Sequence, residues 1–257
     1  MVRHTAVLMQ QLCVVVVFST VFRLALIEDV QSEPRPNTPS ISLRTLLHID
    51  AAVIVVLYAI YAVLSKQVPL APGARPHMLA EPQRLLLFLV VLMAVSPVLH
   101  TLTKTYASDT IYLLAVLLGT VHVFSYDFTY MLTMSREFKG TVSMNAALLC
   151  SVLLASRLSS NMHCFGLMCF AVELFSLSPI LWHMLRVSSA NAHAAFTAAM
   201  VVAVSVLLAL THRRFFGFLF VFAAVVIPFV APLVFIRVQR FKVRIAGPWD
   251  LGGVNPV

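Results

Sequence analysis

"RLLLFLVVLMAVSPVLHTLTKTYASDTIYLLAVLLGTVHVF", residues 84–124, decides the fold. Two long apolar runs flank a short polar break that carries His100, Lys104 and Asp109. Each run approaches the roughly 20 residues that cross a hydrocarbon layer about 30 Å thick. Backbone amides in that layer are satisfied only in helices or closed barrels, and neither run alternates with the period of a barrel strand. The stretch is therefore a helix, a polar turn and a second helix crossing back.

The same pattern recurs along the chain and predicts eight helices, at 6–27, 46–64, 85–102, 110–127, 140–157, 162–182, 190–210 and 215–236. Composition agrees: 60% of the 257 residues are hydrophobic and 11% charged, with a mean hydropathy of +0.94. Soluble domains carry about 25% charged residues. The fold class is all-α, a polytopic membrane helical bundle of about eight spans, forming one multi-pass domain over 1–257 with a short basic tail from about 237. The connecting pieces reach only about 20 residues, too few for a soluble domain with its own core. Prolines at 34, 36, 39, 69, 72, 76 and 82 mark the linkers.

The net charge of +8 is topological and does not point to nucleic acid. With a cytosolic N-terminus, that side holds Arg3, Lys66, Arg75, Arg84, Arg136, Lys139, Arg186, Arg237, Arg240, Lys242 and Arg244. The other side holds Arg35, Arg44, Lys104, Arg157, Arg213 and Arg214. Both termini are expected in the cytosol, although Arg213 and Arg214 run against the bias. "MVRHTAVLMQQLCVVVVFSTVF" at 1–22 has the basic start and apolar core of a signal peptide, but the core is long and lacks a clear small-x-small cleavage site, which favours a retained span. Cys13, Cys150, Cys164 and Cys169 fall in apolar runs without metal or redox spacing and read as buried free thiols.

Charges inside the spans each need a reason, since one costs at least about 2.5 kcal/mol at the membrane centre. Arg23 is expected to reach the interface toward Glu28 and Asp29, and Asp50 to be wetted near the start of the second helix. Glu173, in the middle of its run, must be neutral, paired or facing a polar cavity; a hydrogen bond to a neighbouring helix is one reading and a functional role the other. His122 and Asp127 lie about 140° apart around a helix and do not make a metal pair. The nine histidines form no H-E-x-x-H motif, and there is no G-x-S-x-G, Walker or G-x-G-x-x-G loop. No N-x-S/T glycosylation triplet occurs, and without an internal repeat a transporter of inverted halves is disfavoured. For the break at 96–112, Ser96-Pro97 loosens the third helix near its end. A plain turn between antiparallel helices and a polar lining for substrate or partner both remain open.

Several pieces in order resemble one family: "QQLCVVVVF" at 10–18, "SPVLHTLTKTYASDTIY" at 96–112, "HVFSYDF" at 122–128, "LLASRL" at 153–158 and "RFKVRIAGPWD" at 240–250. Together they resemble the phosphatidylinositol glycan class C proteins, membrane components of the complex that transfers N-acetylglucosamine to phosphatidylinositol at the first step of glycosylphosphatidylinositol anchor synthesis. The resemblance implies a non-catalytic subunit in the endoplasmic reticulum membrane, with no cofactor, whose partners are the other subunits, including the catalytic one that uses UDP-GlcNAc, and the inositol lipid. The implied contacts with lipid or with other subunits are Ser96, Pro97, Asp109, Thr110, Tyr112, His122, Asp127, Asn145, Arg157, Glu173, Gly247, Pro248, Trp249 and Asp250. The family usually has Lys at the position of His100, an acidic residue at that of Lys104, and Gln at that of Glu173. It also carries a leader before the first helix, which implies that this lineage lost it or that translation starts upstream. The physical reading agrees on catalysis, because a nucleotide-sugar site of that kind needs a folded α/β domain. Two rival readings are a stand-alone membrane glycosyltransferase using a lipid-phosphate donor, with Glu28 and Asp29 as base and metal ligand, and a small transporter built around Glu173.

Overall fold

The computed structural model describes residues 2–30, 39–67, 82–101, 105–128, 140–211 and 214–239. Among them the structure is all-helical: α1 (Val2–Val30), α2 (Leu43–Gln67), α3 (Pro82–Thr101), α4 (Ser108–Phe124), α5 (Thr141–Ala155), α6 (Asn161–Ser188), α7 (Ala190–Leu210) and α8, which runs from Arg214–Val225 through a π-helical turn into Ala231–Gln239. Five are long and apolar enough to cross a membrane; α4, α5 and the first part of α8 are shorter apolar helices. The eight predicted elements are all present, with ends displaced by a few residues. α6 shows the largest displacement, running six residues past its expected end at 182.

α6 is the central helix. Of its most apolar window 78% is buried, against 11% for α3, and it packs against α1, α2, α3 and α5. α3 and much of α2 present their leucines and valines outward, the arrangement expected where lipid rather than water is the solvent. α1 closes the other side against α7, which pairs with α8.

Close approach between helices is set by small side chains, because without a hydrophobic drive between spans the gain comes from backbone proximity and interhelical hydrogen bonds. α4 and α5 meet through Ala115, Ser143, Ala146, Ala147 and Cys150, and the Cys150 thiol donates to the Ala115 carbonyl across 3.3 Å. At Gly166 of α6, an added Cβ would stand 3.0 Å from Leu46 Cδ2 of α2, so the two helices lie as close as this glycine allows. Cys13, Cys150, Cys164 and Cys169 are all buried free thiols.

α6 is not a regular helix. Its π-helical turn, Glu173–Leu177, precedes Ser178-Pro179, and proline has no N–H to give the carbonyl four residues earlier. The Ser178 N–H instead reaches five residues back to the Glu173 carbonyl, and its hydroxyl donates to the Leu174 carbonyl at 2.6 Å. α8 repeats the device at Val226–Val230, around Pro228. By contrast, α3 continues through Pro97 to Thr101.

Candidate functional site

Three groups of buried polar side chains surround α6. The first explains the polar break at 96–112. Ser96 donates its hydroxyl to the Asn161 carbonyl at 2.7 Å, and His100 Nε2 donates to the Leu158 carbonyl at 2.8 Å. Arg157 returns the contact, its Nη1 donating to the Tyr106 carbonyl at 3.1 Å. Cys164 leans its thiol toward the Ser96 carbonyl at 3.8 Å. The end of α3 and the start of α4 are thus tied to the tight turn between α5 and α6, where the helix ends leave carbonyls that need donors. Pro97 itself faces outward.

The second group joins α4 to α5. His122 Nδ1 lies 2.9 Å from Ser143 Oγ and 3.0 Å from the Ser143 carbonyl, while the Ser143 hydroxyl also reaches the His122 carbonyl at 2.8 Å. The imidazole then stands edge-on to Phe175 in the π-helical turn of α6, centroids 5.0 Å apart, and Phe175 meets Phe18 of α1 at 5.3 Å. His122 Nε2 is buried without a hydrogen-bond partner.

The third group is acidic. Asp50 of α2 and Glu173 of α6 are 4% and 2% exposed, and neither carboxyl has a hydrogen-bond partner. They lie close enough for their charges to act on each other and on Cys169. This corrects two expectations. Asp50 is not wetted, because α6 covers it where Gly166 lets α2 come near, and Glu173 makes no hydrogen bond to a neighbouring helix, because the widened turn carries it into an apolar part of the core. No group of three or more His, Cys, Asp or Glu among the described residues is placed to hold a metal ion.

A fourth cluster escaped the sequence reading. Gln10 of α1 donates to Thr197 Oγ1 at 2.8 Å and lies 3.1 Å from His193 Nε2, pinning α1 to α7. Its signal was Gln10-Gln11 inside an otherwise apolar run, both buried, with Thr197 four residues after His193.

The expected site residues therefore divide. Ser96, His122, Arg157 and Glu173 are gathered around α6. Tyr112 is half-buried, its ring 6.3 Å from Phe22, and Asp127 is half-buried just past the end of α4. Asp109, Thr110 and Asn145 are exposed. Asp109 lies in the first turn of α4, where the helix dipole favours a negative charge. Gly247, Pro248, Trp249 and Asp250, with Arg240, Lys242 and Arg244, lie outside the described residues. Arg23 has no carboxylate partner among the described side chains, and Glu28 accepts instead from the Ser40 hydroxyl at 2.7 Å.

These arrangements hold helices in register. None of them pairs a nucleophile with a base at a substrate-sized opening. No solved structure matches the chain. A Dictyostelium discoideum protein named as a class C component of phosphatidylinositol N-acetylglucosaminyltransferase is 41% identical over 159 residues, 62% of this chain and 46% of that protein. The GPI2 subunit of the same enzyme from Schizosaccharomyces pombe is 32% identical over 177 residues, 68% and 55% of the two chains. The class C component from Homo sapiens is 33% identical over 172 residues, 66% and 56%. The chain thus spans about half the length of the curated relatives it matches. The GPI2 family model, described as phosphatidylinositol N-acetylglucosaminyltransferase, matches residues 1–250, essentially the whole multi-helix chain, and the chain belongs to that family.

Proposed function

We propose that this chain is a non-catalytic membrane subunit of the complex that transfers N-acetylglucosamine from UDP-GlcNAc to phosphatidylinositol, the first step of glycosylphosphatidylinositol anchor synthesis, in the endoplasmic reticulum membrane. The observation that carries the reading is the family match over residues 1–250, on a chain whose described residues are all apolar helices and their turns. A bundle of this kind packs against companion subunits and positions a lipid, whereas a sugar-nucleotide pocket needs a folded α/β domain. The polar ties around α6 fit a rigid scaffold: they consume His100, Arg157, His122 and Ser143 in helix-to-helix contacts.

The test is purification with and without companions. The chain alone, in detergent or liposomes, is expected to be inert toward UDP-GlcNAc and phosphatidylinositol, and the co-expressed complex active. Robust transfer by the isolated chain would overturn the reading. Within the complex, substitution of the exposed Asp109, or of Trp249, is expected to lower recovery of the other subunits on affinity purification; normal recovery with lost transfer would place the residue in the chemistry instead.

A further inference from the structure

A groove of about 320 Å³ runs between α1, α7 and α8, a size at the lower end of small-molecule sites. Its walls along α1 extend from Leu12 to Ile27, about 22 Å of helix, and on α8 from Phe216 to Ala223. The deep end is apolar. The shallow end, where α1 finishes and α7 turns into α8, carries Arg23, Thr211 and Pro39. The hydroxyls of Ser19, Thr20 and Thr211 are spent on carbonyls of their own helices, at 3.0, 2.7 and 3.0 Å. Arg23 is exposed and unpaired with any described carboxylate, so it is the donor the groove has left to offer, and it brings a positive charge. A second groove, on the α7–α8 face, repeats the design: about 420 Å³, bounded by Ser205, Gly217 and Phe218, with Arg214 at the same membrane end.

We infer that the groove between α1, α7 and α8 holds an acyl chain of an anionic glycerophospholipid whose phosphate sits on Arg23. An apolar channel hanging from a guanidinium at headgroup depth complements that molecule at both ends: the chain replaces bulk lipid against α1 and α8, and the planar fork of arginine suits phosphate oxygens. A zwitterionic lipid offers the same phosphate but cancels its charge. The inference rests on the bilayer-spanning fold, not on the subunit role, and it concerns the leaflet at the C-terminal end of α1.

The test uses the full chain co-expressed with its companions and reconstituted in phosphatidylcholine nanodiscs. Phosphatidylinositol, phosphatidylserine or phosphatidylcholine carrying a photoactivatable acyl chain is added at trace level, and cross-links to 12–27 and 216–223 are mapped by mass spectrometry. Both anionic probes are expected to label these segments about tenfold more than the phosphatidylcholine probe. Arg23→Gln should bring them down to the phosphatidylcholine level, Arg23→Lys should keep most of the preference, and Ala223→Trp should depress all three by filling the groove. Equal labelling by the two anionic probes assigns recognition to charge alone; stronger labelling by phosphatidylinositol adds the inositol hydroxyls, and either outcome supports the inference. Equal labelling by phosphatidylcholine in the wild type, or an undiminished anionic preference in a well-folded Arg23→Gln, overturns it. Companion recovery from the same samples reports separately on the subunit role.

Discussion

His100 holds the turn between α5 and α6 through a single hydrogen bond to the Leu158 carbonyl, so this position requires a donor of the right reach rather than a particular charge. That accounts for a lysine serving there in related chains, since an ammonium donates to a carbonyl as well. His100→Ala should leave a buried carbonyl without its partner and cost about 1–3 kcal/mol, while His100→Lys should retain most of the stability. Thermal unfolding in detergent, followed by size-exclusion fluorescence, distinguishes the two; equal losses would mean that the imidazole ring's packing matters more than its proton. Glu173 poses the opposite case, a carboxyl with nothing to accept from. An unpartnered buried charge costs at least about 2.5 kcal/mol in hydrocarbon, and an amide of the same shape avoids that term. Glu173→Gln should therefore match or exceed the wild type in the same assay, and a loss of about 2 kcal/mol or more, on the order of an engaged buried charge, would show that the carboxylate has a partner in the assembled state.

At the scale of the element, the sequence reads well where one solvent dominates. Hydrocarbon demands long apolar helices, and all eight were legible from the runs alone. What occurs inside a helix was less so. Proline at 179 was visible, but whether it would end α6, kink it or open a π-helical turn depends on Ser178 supplying its hydroxyl to the Leu174 carbonyl, a contact with no periodic signature. Proline at 97 pointed to a loosened helix end, yet α3 continues past it because Ser96 and His100 anchor that segment to the next turn. Asp50 looked wetted because depth can be counted along a sequence, whereas the neighbour that covers it cannot. Gly166 is that hidden determinant. A side chain there meets Leu46 at 3.0 Å, so Gly166→Val should push α2 from α6 and destabilise by about 1–3 kcal/mol, read as a lower unfolding temperature. Leu46→Ala should relieve part of the clash in the double variant, and an absence of coupling between the two sites would refute direct contact.

For the whole molecule, orientation is the property on which a lipid-handling role turns, and the charge count supplies a definite expectation: both termini and Lys66 on the cytosolic side, Thr105 on the lumenal side. The fold makes this unusually easy to measure, because every native cysteine is a buried thiol, so the wild type should resist a membrane-impermeant maleimide. Lys66→Cys, at the exposed end of α2, should label in sealed microsomes. Thr105→Cys, in the exposed turn before α4, should label only after the membrane is opened. The reverse pattern would invert the topology, move the turn tied by His100 and Arg157 to the cytosolic face, and put the Arg23 groove in the cytosolic leaflet, where sugar transfer to the inositol lipid is proposed to occur. With the expected pattern, Arg23 and Arg214 stand at the lumenal end, against the positive-inside bias, and bound anionic phosphate is the counter-charge that would hold them there.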